Sequence, residues 1–232
     1  MSTNPPDFFA GEAALTYDER NKKLAQISDA LHFLIGLILK DLPKQSRILC
    51  VGVGTGAEIL SLARNFPEWR FLGLDPSQAM LEVCRERLKG AGLENRCEFV
   101  HGYIQDLSDQ ERFDAVLSIL VAHFVAHGQR LDYFQNMANR LRIGGYLINA
   151  EISFDMNSVE FPAMLRNWKE IQTLMGATEE SLEKLPIILR DVLTVVPPAE
   201  TENFFRMSGI GCPIRFFQAF MICAWYGKKV SS

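Results

Sequence analysis

The run RILCVGVGTGAEIL carries Gly52, Gly54 and Gly56, and Asp75 closes the later run RFLGLD, nineteen residues after Gly56. A strand that ends in glycines and turns into a helix offers a ligand bare backbone and unpaired N–H groups. An acid at the tip of the next strand is placed to chelate two ribose hydroxyls. Together the two features suit a nucleoside. Asp75 also opens DPSQAM, where an acid can start a helix, and the capping and sugar-binding roles are compatible.

Three other side chains have the chemistry for proton transfer or substrate contact. His123 follows FDAVLSILVA; a histidine there suits a base acting on an oxygen or nitrogen nucleophile, or a packing residue beside a ligand. Glu151 ends YLINAE and is a candidate base or ammonium-binding group, with a surface carboxylate as the plainer use. Tyr17, in LTYDERN, either closes over the site or joins the core. No N-P-P-[YF] follows the fourth strand, no acid cluster there suggests a magnesium site, and no cysteine pair suggests a thiolate relay. No metal is expected.

Holding these residues in place requires strands that alternate with helices. RILCVGV, RFLGLD, CEFVHG, FDAVLSIL and YLINAEI read as strands, separated by the amphipathic runs GAEILSLARNF, SQAMLEVCRERLKGAG and QRLDYFQNMANRLRIGG, the last with a glycine stop. The fold class is α/β, a doubly wound, mostly parallel seven-stranded sheet. PIRFFQAF and MICAWYGKK leave no room for a crossover helix and form a C-terminal antiparallel strand pair at the sheet edge. One domain spans 1–232, with an N-terminal helical lid segment over 1–45 and a helical insertion with a terminal helix over 153–209. Phe154, Phe161, Trp168, Phe204, Phe205 and Phe216, in the insertion and the edge strands, either line an apolar acceptor pocket or fasten a helical cap to the sheet.

Composition narrows the function. Apolar residues make up 48% and charged residues 22%, which is ordinary for a globular chain. A formal charge of -4 supplies no basic field for nucleic acid. Five scattered cysteines without a C-x-x-C pair argue for a reducing, cytoplasmic compartment rather than a disulfide framework or a zinc site. No membrane segment and no secretory signal are expected. The partner is a small-molecule acceptor, and a homodimer stays open.

The loop also satisfies G-x-G-x-x-[GA], so by itself it does not separate a nicotinamide cofactor from S-adenosylmethionine. The remainder of the chain does, because no second mononucleotide half follows the fifth strand. ILCVGVGTG, GLDPSQAML, GYIQDL, FDAVLSILVAHF and RLRIGGYLINAE, in this order, resemble the class I S-adenosylmethionine-dependent methyltransferases over about 47–152 and again at the terminal strand pair. The resemblance implies a methyltransferase acting on a small molecule by in-line transfer, with S-adenosylhomocysteine as product. It implies that Gly52, Gly54, Thr55 and Gly56 wrap the methionine and ribose parts and that Asp75 binds the ribose. Met80 and the turn Tyr103, Ile104 and Gln105 flank the adenine, and Pro76 and Ser118 complete the set. Cys50 stands where the family usually has an acid that receives the ligand's ammonium group, and GY replaces the usual GD at Tyr103. YDERN, DPSQAM and FFQAFMICAW are similar to the carboxy-S-adenosylmethionine synthase branch, which modifies the cofactor itself. That branch grips the added carboxylate with arginine, where this chain offers Arg206 and aligns Phe204. A catalytically silent S-adenosylmethionine-binding subunit is the remaining alternative.

Overall fold

The computed structural model describes residues 19, 21–108 and 110–230. Tyr17 and most of the part of the expected lid before the first helix lie outside the described residues. Seven strands form one sheet: β1 Arg47–Val51, β2 Arg70–Asp75, β3 Cys97–His101, β4 Phe113–Ile119, β5 Leu141–Ile152, β6 Ile210–Ala219 and β7 Ile222–Lys229. Their order is β3-β2-β1-β4-β5-β7-β6. β1 to β5 pair in parallel, whereas β7 runs antiparallel between β5 and β6. The terminal pair is therefore at the edge as expected, with the last strand of the chain inserted inside it.

Period-two alternation along the strands divides the core between two faces. Ile48 and Cys50 turn toward α1 (Ala25–Leu39), α2 (Ala57–Asn65) and α3 (Gln78–Gly90), where Leu31, Ile35, Ile59, Leu62, Leu81 and Leu88 cover them. Leu49 and Val51 turn the other way, against α4 (Arg130–Asn139) and α7 (Pro198–Met207). β1 lies between β2 and β4, so the winding reverses beside it and opens a crevice at the carboxyl ends of β1 and β4.

One boundary differs from the sequence pattern. The helix expected to run to the glycines ends at Asn139, and β5 starts at Leu141. Arg140 folds inward to donate to the carbonyls of Ile104 and Leu107 at 3.3 and 2.7 Å. Leu141 pairs with Phe113, and the register shifts before Ala115 pairs with Tyr146. Gly144, at φ 79°, thus serves a bulge in the strand rather than a helix stop.

The segment after β5 is helical, as expected: α5 Phe161–Leu174, α6 Glu179–Ile187, a π-helical turn Ile188–Val192, then α7. Trp168, Ile171, Leu185, Leu189 and Val195 form a separate apolar cluster with Met221 and Ile222, packed against Leu120 and Ile152 at the tips of β4 and β5. Phe204 and Phe205 belong to the α4–α7 core instead, with Phe134 ring centroids at 5.7 and 5.3 Å. Phe205 is fully buried, so Phe205→Ala should cost about 3–5 kcal/mol of unfolding free energy in a urea titration.

Candidate active site

β1 delivers the glycine loop to the crevice in a backbone form that ordinary side chains resist. Gly52, Gly54 and Gly56 have φ of 68°, 51° and 79°. The N–H groups of Gly52 and Val53 both donate to the carbonyl of Leu74, at 2.7 and 3.0 Å, which ties the loop to β2. A Cβ on Gly52 would lie 2.4 Å from Val121 Cγ2 in the segment after β4. Packing alone therefore demands that glycine. A Cβ on Gly54 would meet nothing within 4 Å: the backbone there faces open space, as a surface built for ligand contact does.

Asp75 is joined to that bare backbone. One carboxylate oxygen accepts the Gly54 N–H at 2.8 Å and the other accepts the Ser77 N–H at 2.8 Å. Ser77 in turn caps α3 by accepting from the Met80 N–H at 3.5 Å. The cap of α3 is Ser77 rather than Asp75, whose carboxylate instead holds the N–H of that capping residue. Thr55 is buried, and its hydroxyl oxygen accepts from Arg87 of α3 at 3.2 Å. Met80 is buried below this junction and Pro76 is exposed, with its carbonyl accepting from His101 Nε2 at 2.9 Å.

The turn after β3 is held by its own acid. Asp106 accepts the Tyr103 N–H at 2.7 Å, and Gly102 donates to the Asp75 carbonyl at 3.1 Å. Tyr103 is half-buried, Gln105 is exposed, and Ile104 is buried in the core shared with α4. Opposite, Ser118 is fully buried at the end of β4 and its hydroxyl lies 2.9 Å from the Tyr133 hydroxyl. Burial pushes the Tyr133 phenol pKa up, so it stays neutral and exchanges hydrogen bonds with Ser118. Tyr133 looked like one of many helix residues in the sequence, because only the packing of α4 reveals its neighbour.

The two acid–base candidates past β4 and β5 are fastened to the protein. His123 is 3% exposed, and its Nδ1 accepts the Ile152 N–H at 3.3 Å. Burial, reinforced by Arg130, pushes its pKa down to about 3. The ring is neutral, and with Nδ1 accepting, the proton resides on Nε2. Glu151 is fully buried and binds Arg130 Nη1 at 2.7 Å, the Thr201 hydroxyl at 2.7 Å and the Asn149 amide at 3.1 Å. Burial pushes this carboxyl upward in pKa, opposed chiefly by Arg130. Arg130 also donates to the carbonyls of Val125 at 3.1 Å and Thr194 at 2.7 Å, so one guanidinium ties the segment after β4, the tip of β5 and the exit of the insertion. Among the described residues, no three His, Cys, Asp or Glu side chains converge to hold a metal.

Cys50 and Glu58 form the electrostatic oddity of the site. Cys50 is fully buried, and burial, then Glu58, pushes its thiol well above the usual range; it carries no charge. Glu58, in the first turn of α2, is 7% exposed. Burial, with Asp75 adding, pushes its carboxyl up to about 8. The folded state therefore holds this proton more tightly than the unfolded chain, and its contribution to stability is complete below pH 4.5 and lost as pH rises through about 8. Glu58→Gln should accordingly match the parent's thermal midpoint near pH 4 and exceed it increasingly toward pH 8, read by calorimetry at each pH.

Residues 48–145 match a family described as a methyltransferase domain. Over 215 residues the chain is 24% identical to carboxy-S-adenosyl-L-methionine synthase of Wolinella succinogenes, covering 91% of this chain and 88% of that protein. Among solved structures, an O-methyltransferase family protein from Burkholderia thailandensis superposes with a TM-score of 0.67 at 13% identity, covering 94% of this chain and 60% of that one. PigF with SAH superposes at 0.66 and 20% identity, over 94% and 59%. The chain thus spans about three-fifths of the length of these two structures.

Proposed function

We propose that this chain, which carries a class I S-adenosylmethionine-dependent methyltransferase domain, moves the methyl group of S-adenosylmethionine to a small-molecule acceptor. The observation that carries this reading is the open space over the Gly54 backbone, bounded by an Asp75 carboxylate that is itself hydrogen-bonded to that backbone. The residues fit the nucleoside without alteration: a Cβ-free surface for the amino-acid part, an acid beside it for the sugar, and Tyr103 at the next strand end for the base. Gly52, Gly56 and Thr55 shape the loop, Pro76 and Gln105 are exposed beside it, and Met80, Ile104 and Ser118 back it from inside the fold.

When bound, the sulfonium supplies an activated methyl carbon, so the protein's task is alignment and exclusion of water. His123 suits a positioning role better than that of a base, because Nδ1 is already occupied and Nε2 offers a proton. Glu151 is best read as the partner that stabilises buried Arg130, since an ion pair with no exposure on either side is poorly placed to exchange protons with an acceptor. Tyr17 is proposed to cover the site from the N-terminal segment. The apolar cluster of the insertion reaches Leu120 and Ile152 with Phe154, Phe161, Met156 and Met164 around it, which supports an acceptor with an apolar body. Self-association as a homodimer and a cytoplasmic location belong to the same proposal; no described helix is long and apolar enough to cross a membrane.

One finding favours a second reading, synthesis of a carboxylated cofactor: the match to carboxy-S-adenosyl-L-methionine synthase spans most of the chain. Against it, Phe204 is packed in the core and Arg206 is exposed, bonded to Asn203 and Glu202 on its own helix. Mass spectrometry of ligand released from the purified protein separates the two, with S-adenosylmethionine or S-adenosylhomocysteine expected and a carboxylated form favouring the second. Methyl-labelled S-adenosylmethionine with a metabolite extract should yield a labelled small molecule. Asp75→Ala should weaken S-adenosylhomocysteine binding by roughly tenfold or more, the loss of charge-assisted hydrogen bonds. Unchanged affinity in that variant would remove the basis for the proposed site.

A further inference from the structure

α1 is apolar on two sides. Leu31, Ile35 and Leu39 face the sheet and are buried, as one stripe of a helix in this layer must be. The opposite side carries no charge between Asp29 and Lys40: Phe33 is 64% exposed and Leu37 48%. Leu34, Leu37 and Ile38 continue into a shallow apolar depression whose far wall is Ile214, Phe216 and Tyr226 of β6 and β7, and Ile214 is itself 48% exposed. A helix apolar on both sides, beside an apolar sheet edge, has the composition of an element that is covered on both sides.

The surroundings narrow what can lie there. Leu24 and Ile27 pack with the insertion cluster beside Leu120 and Ile152, so the chain before α1 joins the helix at the end remote from this patch. Strand addition at the sheet edge is obstructed as well: the pairing of β6 shifts register between Gly211 and Ile214 and again between Arg215 and Phe217, and Pro213 has no N–H to offer. Bulges and proline blunt an edge strand. The helix face, in contrast, complements itself. Asp29, Phe33, Gly36 and Lys40 recur at helical spacing along one side. A Cβ at Gly36 would meet nothing within 4 Å, so that position is a gap in the surface. An antiparallel copy of the helix, turned about a two-fold axis between Leu34 and Ile35, sets each Phe33 over the opposing Gly36 and each Asp29 beside the opposing Lys40. Asp29 and Lys40 are both exposed, and among the described residues neither is in an ion pair.

We propose that a second copy of this chain covers the patch, with α1 packed antiparallel on α1 across a two-fold axis and the Ile214 side of β6 extending the contact. The inference rests on the proposed self-association as a homodimer and names its surface. A two-fold contact requires one patch to fit itself, and a large side chain against a gap in the middle with opposite charges at the ends meets that requirement. The apolar centre supplies most of the affinity. The two Asp29–Lys40 pairs at the rim set direction and register, because a parallel arrangement would bring Asp29 against Asp29 and Lys40 against Lys40. α1 leads to the amino end of β1, so Phe33 to Lys40 lie away from the crevice at the carboxyl ends of β1 and β4. Pairing leaves that crevice open in both copies.

Sedimentation velocity of the full chain over a range of concentrations tests this. The parent should sediment as a dimer that dissociates on dilution. Phe33→Glu should raise the dimer dissociation constant by about a hundredfold or more. Gly36→Leu, which suits a helix better than glycine and has room within the protomer, should raise it by about tenfold while the circular dichroism spectrum stays that of the parent. Asp29→Lys should raise it by roughly fivefold to tenfold, since it sets lysine beside lysine at both ends, and Asp29→Lys combined with Lys40→Asp should return it to within about twofold of the parent. A variant that merely disturbed the fold would not be rescued in this way. All four variants should keep the parent's affinity for S-adenosylhomocysteine. A parent dimer that persists in Phe33→Glu, or a charge exchange that fails to rescue, overturns the inference and leaves the homodimer reading standing. A parent that is monomeric at every concentration overturns both, and if removal of residues 1–18 then produces a dimer, the chain's own amino-terminal segment is what covers the patch.

Discussion

The hydrogen bond from the Gly54 N–H to the Asp75 carboxylate, at 2.8 Å, is the constraint around which the crevice is built. It joins the loop after β1 to the tip of β2, so the bare loop backbone and the acid proposed to bind a sugar form one mechanical unit. Two further contacts hold that unit against its surroundings. Leu74 accepts two N–H groups from the loop, and Val121 fills the space that a side chain at Gly52 would need. The loop is thus fixed from below and from the side at Gly52 and Val53, and the left-handed Gly54 has open space where a Cβ would lie. Preorganisation of this kind means that little ordering entropy remains to be lost when a ligand binds.

Buried charge is handled in two ways on the two sides of this loop. Beyond β4 and β5, Arg130 and Glu151 are fully enclosed and satisfy one another, with Thr201, Asn149 and two carbonyls taking most of the remaining hydrogen-bonding capacity. Such a pair contributes little net stability compared with apolar packing, but it fixes which chain segments meet. Here it joins the segment after β4 and the exit of the insertion to the tip of β5. Beside α2 the opposite holds: Glu58 is enclosed with its pKa raised to about 8, a standing cost in the folded protein near neutral pH. Stability is conceded next to the crevice and secured elsewhere, in the apolar layers against α1–α3 and against α4 and α7.

The insertion after β5 shows how an aromatic run can mislead. Phe154, Phe161, Trp168, Phe204 and Phe205 look alike along the chain. Phe204 stacks on Phe134 and Phe205 packs tilted against the same ring, while Trp168 holds α5 to the separate cluster of the insertion. Phe154 and Phe161, with ring centroids 6.2 Å apart, remain on the side of the cap that approaches the tips of β4 and β5. An aromatic residue buries its large area wherever a face is available, so the division between core and pocket depends on which way each helix is rolled.

Local physics was legible in the chain alone. Glycines at fixed spacing, an acid at the next strand end and alternating hydrophobic periods specify a strand, a turn and a helix whichever way the rest is arranged. The parallel pairing of the first five strands and the antiparallel terminal pair followed from the lengths available for connections, while the spatial order of the strands came only from the structure. What depended on distant contacts was not legible. Arg140 turned inward to reach Ile104 and Leu107, and this ended α4 before the glycines that a local reading takes for its stop. The proton on His123 was assigned by an amide of β5, and Glu151 was withdrawn from solvent by an arginine twenty-one positions away. Glu58 sat in plain view within the loop motif, but its significance came from Cys50, Asp75, Cys84 and Arg87 gathering around it. Ionisation depends on solvent exclusion and on the nearest charges in space, and a linear sequence contains neither.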